Sequence, residues 1–188
     1  VDADLGDRPC RSLGVLLRAY FDGDGTVSKN GEVTATTASE NLASDLAYAL
    51  KRFGIDPEKF YIAGHSAGAH LAAMMLATDW SKFADDTPRD MIKGMVGVSG
   101  IYDLEPLLQI PSVNVDLKLT ANSAKKLSPT LLKTQSNAAI YLAAGELESA
   151  EFKRQSALLA QNWHKNIEYN QIVINAHHLN IVDHFADR

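Results

Sequence analysis

The sequence predicts an α/β protein: a mostly parallel sheet with helices on both faces, incomplete at its N-terminal side. Three observations carry this. Short apolar runs alternate with longer stretches of helical periodicity. Two of the runs, "IKGMVGVSG" and "AAIYLAAG", are continuously apolar, as in strands covered on both faces. Strands separated by helices imply right-handed crossovers and parallel pairing.

Taken in order, "GVLLRAYF" (14–21) predicts a strand, and "DGDGTVSKNGE" (22–32) is rich in turn formers and predicts a loop. In "SENLASDLAYALKRFG", Leu42, Leu46, Ala49, Leu50 and Phe53 fall on one helical face. Ser39 can cap this helix and Gly54 can end it. After the Asp56-Pro57 turn, 59–63 predicts a strand and 67–78 a largely apolar, buried helix. A strand over 92–100 follows. Residues 104–137 are mixed, with one or two helices and a break at Ser128-Pro129. Then come a strand over 138–145, an amphipathic helix carrying Phe152, Leu159 and Trp163, a strand over 169–176, and a final helix starting in "IVDHFADR".

Bulk properties narrow the function. With 188 residues and 46% hydrophobic content the chain can build a real core. A formal charge of −5 offers no basic face, which argues against nucleic acid as a partner. The lone Cys10 excludes an intrachain disulfide and a multi-cysteine metal site. No apolar run approaches the roughly 20 residues that span a bilayer, and no secretory pattern opens the chain. The expected location is therefore cytoplasmic. Because the chain begins at Val1 rather than Met, a natural start further upstream stays open.

In open α/β sheets, sites form beyond the carboxyl ends of the strands, and chemically capable residues cluster there. Ser66 lies between Gly64 and Gly68 where a strand turns into a helix. A sharp turn of that kind needs small neighbours and lifts a hydroxyl clear of the backbone. It also presents the Ala67 amide, at a helix N-terminus, to a developing oxyanion. A serine hydroxyl needs a base, and the base an orienting acid. Glu148 follows strand 138–145, with Glu146 as competitor, and His177 and His178 follow strand 169–176. The chain order Ser, acid, His is that of α/β-hydrolases.

Blander roles compete. Glu148 could complement a helix dipole, one of the paired histidines could be structural, His65 could line a pocket, and His70 could be bonded in the core. His177, His178, Asp183 and His184 match no zinc spacing. "DGDGTVS" fails as a calcium loop, with Tyr20 at the first ligand position and Gly31 at the last. No cofactor and no metal are expected.

"AGHSAGAHLAA", "VSGIYDLEPL", "LSP", "GELESAEFKRQS" and "HHLNIVD" together resemble the kynurenine formamidase (arylformamidase) and related esterase branch of the α/β-hydrolases. The resemblance covers residues 39–188, leaving 1–38 poorly matched within a single expected domain of 1–188. It implies Ser66 as nucleophile, Glu148 as acid and His178 as base. It makes Asp103 a structural signature residue and the reserve acid. It also implies a small ester or formamide substrate, with a homodimer left open. The chain departs from the family in having Leu179 where an aromatic follows the catalytic His and Glu148 where the acid is often Asp, and one further departure is serious. An upstream His-Gly-Gly motif, whose amides complete the oxyanion hole, is missing; no two glycines are adjacent anywhere in the chain. The alternative to a serine carboxylesterase or arylformamidase-like hydrolase is thus a hydrolase-fold protein impaired in, or without, catalysis.

Overall fold

The computed structural model describes residues 25–27, 33–35, 60–82 and 89–185. Contacts divide the chain into two compact units, Val1–Pro57 and Glu58–Arg188.

In the first unit, β1 (Gly25–Val27) pairs antiparallel with β2 (Val33–Ala35), in the register Thr26 opposite Thr34. The loop expected over 22–32 is corrected here. Thr26 and Val27 favour a pleated strand, and the part of that stretch over Gly25–Val27 pairs with β2. The strand expected over 14–21 and the helix expected from Ser39 to Gly54 lie outside the described residues.

The second unit is built on four parallel strands in the order β3 (Phe60–His65), β4 (Ile92–Val98), β5 (Ala139–Gly145) and β6 (Ile167–Val173). Helix α1 (Ala67–Ala77) connects β3 to β4, and α4 (Ala150–Asn162) connects β5 to β6. Between β4 and β5 the chain makes short pieces: 3₁₀ turns at Glu105–Gln109 and Pro129–Leu131, α2 (Pro111–Leu117) and α3 (Ala121–Lys126). Thr120 and Ser123 form a capping box that starts α3.

Strand order follows chain order without reversal, so right-handed crossovers put these connections on one face of the sheet. Met95, Ile140 and Leu142 share that face and are at most 2% exposed. On the opposite face Tyr61, Tyr141 and Tyr169 are 70%, 43% and 62% exposed, and the last two stack at 6.3 Å. Tyr102 is fully buried beside Gly97 and Gly100, and a Cβ at either glycine would come within 2.3 Å of its ring or hydroxyl. Burial pushes its phenol well above the ordinary range.

Two expectations shift. The last strand ends at Val173 rather than Ala176, with a turn through Asn175 (φ 58°), so the histidine pair lies further along the loop that follows the strand. The expected final helix is a 3₁₀ turn over Asp183–Phe185 within the described residues.

Candidate active site

β3 ends at His65 and α1 begins at Ala67, so Ser66 alone makes the corner. Its backbone sits at φ 56°, ψ −120°, a left-handed region that costs a non-glycine residue roughly 1–3 kcal/mol. The Ser66 N–H donates to the Val98 carbonyl at 2.9 Å, and its own carbonyl accepts from Ala69 and His70. A Cβ at residue 64 would lie 2.2 Å from the Gly68 carbonyl oxygen, so only glycine fits there. At Gly68 a Cβ would meet nothing within 4 Å. The tight corner therefore requires one of the two flanking glycines, not both. Ala67, as first residue of α1, has no preceding turn to accept its N–H.

His178 arrives on the loop after β6. This loop is seated by Ala176 and Ile181, both fully buried against Val98. It is also held by the Leu147 N–H, which donates to the Ala176 carbonyl at 2.9 Å. The imidazole Nε2 lies 3.0 Å from Ser66 Oγ, and Nδ1 lies 2.6 Å from Glu148 Oε1. A carboxylate only accepts, so Nδ1 carries the proton and Nε2 is free to accept from the serine hydroxyl. The Glu148 side chain is fully buried. Its second oxygen accepts from Ser99 Oγ at 2.8 Å and from the Gly145 N–H at 2.6 Å. Phe152 of α4 packs 4.4 Å from the His178 ring.

The other sequence candidates fall elsewhere. His177 Nδ1 accepts from the amides of Leu179 and Asn180, so its ring caps the local turn. Glu146 is exposed and accepts from the Asn175 N–H. Asp103 Oδ2 accepts from Arg154 at 2.7 Å, while Gln155 accepts from the amides of Tyr102 and Asp103. That arrangement folds the "IYDL" turn onto α4. His70 Nε2 lies 2.8 Å from the Leu127 carbonyl oxygen. Among the described residues no three His, Cys, Asp or Glu side chains are grouped to hold a metal ion, and no helix is long and apolar enough to cross a membrane.

Sequence reasoning missed Ser99. It immediately follows β4, is fully buried, and has φ 49°. The strand-end rule points to it, but a neutral hydroxyl among apolar residues carries no charge signal. Removing its donor leaves a buried carboxylate one bond short, which costs about 1.5–3 kcal/mol. Ser99→Ala is expected to lower kcat about tenfold and to lower the melting temperature, read by steady-state kinetics and thermal unfolding.

A family model described as BD-FAE matches residues 46–163, more than half of the chain. The chain belongs to the BD-FAE family. Its fold is that of the α/β-hydrolases. A kynurenine formamidase of Salmo salar is 42% identical over 139 residues, which is 68% of this chain and 45% of that protein. The chain thus spans less than half the length of that relative. A crystal structure from Silicibacter sp. tm1040, provisionally described as a thioesterase, superposes with a TM-score of 0.65 at 29% identity. It covers 79% of this chain and 53% of the other. The BD-FAE match includes Ser66 and Glu148 and stops short of His178.

The N-terminal part of this BD-FAE chain has a second likeness. A LAGLIDADG-like domain model matches residues 13–73. A stretch of 44 residues is 52% identical to replication factor C small subunit of Methanocaldococcus jannaschii, covering 23% of this chain and 2% of that protein.

Proposed function

We propose that this BD-FAE chain is an ester and amide hydrolase that works by acyl transfer, with Ser66 as nucleophile, His178 as base and Glu148 as acid. The observation that carries the reading is the unbroken bond series from Glu148 through His178 to Ser66, at 2.6 and 3.0 Å. His178 Nε2 takes the Ser66 proton as Oγ attacks the carbonyl carbon. The tetrahedral oxyanion forms beside the Ala67 N–H at the start of α1. His178 then protonates the leaving alcohol or amine, and the acyl group stays on Ser66. Water, deprotonated by the same imidazole, attacks the acyl-enzyme and returns the serine. Glu148 keeps the imidazole in the Nδ1–H tautomer and stabilises its cation. No step calls for a cofactor or a metal.

Likeness to a kynurenine formamidase supports a small N-formyl amide, such as an aryl formamide, or a small acyl ester as substrate. A homodimer remains part of the proposal.

A second reading, a hydrolase fold without catalysis, is favoured by one observation: no adjacent glycine pair exists to supply the second oxyanion donor. Losing one such donor costs on the order of 10²–10³ in rate, which slows a triad without silencing it. Covalent labelling separates the two. A fluorophosphonate probe incubated with the full chain is expected to modify the peptide carrying Ser66, located by mass spectrometry. A chain that stays unmodified while a known serine esterase labels alongside would leave the non-catalytic reading standing.

A further inference from the structure

We infer that His65 is a positioning residue: its ring N–H fastens the loop bearing the base to the corner bearing the nucleophile. The inference rests on the triad reading above and extends it to a residue that reading leaves unused.

His65 is the last residue of β3, opposite Val98 of β4, and is half-buried. Its Nε2 lies 2.8 Å from the backbone carbonyl oxygen of His178. A carbonyl only accepts, so His65 Nε2 carries the proton and donates it. The two imidazoles stand 4.6 Å apart, tilted by 42°. One bond therefore joins the residue immediately before the nucleophile to the base itself, across 113 positions of sequence.

The placement matters because Phe152 packs on the His178 ring, while the other anchors of the loop backbone act further away. Ala176 and Ile181 seat the two ends of the loop, and Leu147 holds it through the Ala176 carbonyl. Leu179, immediately after His178, is 75% exposed. Among the described residues, the ring's own two bonds run to Glu148 and Ser66, and a bond to the backbone of residue 178 comes from His65. Without it the His178 backbone can retreat, and the Oγ to Nε2 separation is no longer set. Misplacement of about 1 Å at a reacting pair costs on the order of 10²-fold in rate. Substrate need not touch His65 for this to happen, so the loss falls on kcat and on the acylation rate rather than on KM.

Three variants in the full chain separate the N–H from the ring. Phe keeps a ring against His178 and has no donor. Gln places an amide N–H near the position of Nε2. Asn has the same group one carbon too short. Against p-nitrophenyl acetate, His65→Phe and His65→Asn are expected to lower kcat by about 10- to 100-fold, with KM within about threefold. Both are expected to slow fluorophosphonate labelling of Ser66 in parallel, and His65→Gln to recover to within about threefold of the parent. Thermal unfolding is recorded for each; if Phe lowers the melting temperature, the comparison of Gln with Asn decides alone. Gln as poor as Asn, or Phe equal to the parent, overturns the inference. Ser66→Ala run alongside separates this failure from that of the triad reading. A dead Ser66→Ala with an unaffected His65→Phe removes only the role of His65. Turnover that survives Ser66→Ala, or a parent that neither turns over nor labels, removes both.

Discussion

Ser66→Ala is expected to bring hydrolysis of p-nitrophenyl acetate down to the buffer rate, a fall on the order of 10⁴ in kcat relative to the parent. That is about 5.5 kcal/mol of lost transition-state stabilisation. The reason is local. Ser66 Oγ is the hydroxyl bonded to the free nitrogen of His178. The imidazole's other nitrogen is committed to Glu148, so no other serine can inherit the role without moving the base. Stability should go the other way in a companion variant. Ser66 holds a positive φ of 56°, which glycine adopts without strain and alanine does not. Ser66→Gly is therefore expected to be as inactive as Ser66→Ala but to melt several degrees higher. Differential scanning calorimetry of the pair tests this. If Ser66→Ala retained parental turnover, acyl transfer through this residue would be wrong. If the two variants melted together, the strain assigned to the corner would be wrong.

What the sequence revealed depended on whether a feature was local. The strands at 92–98 and 139–145 and the helix at 150–162 stand out because apolar runs and helical spacing are properties of contiguous residues. The corner at Ser66 was legible for the same reason, since a glycine at 64 is dictated by contact four residues along. The end of β6 was not. "YNQIVINA" continues to look like a strand past Val173, but a backbone reversal at Asn175 ends it, and asparagine tolerates that conformation without announcing it. Choosing His178 over His177, and Glu148 over Glu146 and Asp103, came from family likeness and not from spacing. The physical distinction lies in long-range partners: Arg154 occupies Asp103, the Asn175 amide occupies Glu146, and the local turn occupies His177. Ser99, and the bond of His65 that its reading as a pocket-lining residue passes over, are not legible because each acts through one bond to a residue dozens of positions away.

Residues 13–45 match a LAGLIDADG-like model and fall before the BD-FAE match begins. The contact boundary at Pro57 lies just ahead of β3. The residues ahead of the BD-FAE match therefore carry a different sequence likeness.

Glu148→Gln is the second large effect: kcat is expected to fall about 10³-fold, while Glu146→Gln and Asp103→Asn stay within about threefold of the parent. The substitution keeps the shape of the side chain and removes its charge. A glutamine amide can turn its oxygen toward only one set of donors. If the oxygen keeps the Ser99 hydroxyl and the Gly145 N–H, the NH₂ faces His178 Nδ1. The imidazole must then accept there and carry its proton on Nε2, where it meets Ser66 as a donor and cannot act as base. If the amide turns round, its NH₂ is driven against the Gly145 N–H, 2.6 Å from the present oxygen, and a buried donor loses its partner. Either way the neutral amide no longer stabilises the imidazolium that forms as Ser66 attacks. The controls differ because Glu146 and Asp103 are bonded to the Asn175 amide and to Arg154, away from the imidazole. Steady-state kinetics on the three variants, with thermal unfolding to confirm the fold, distinguishes the acids. Parental activity in Glu148→Gln would require the base to be oriented by another group, and Glu146→Gln or Asp103→Asn would then have to show the loss instead.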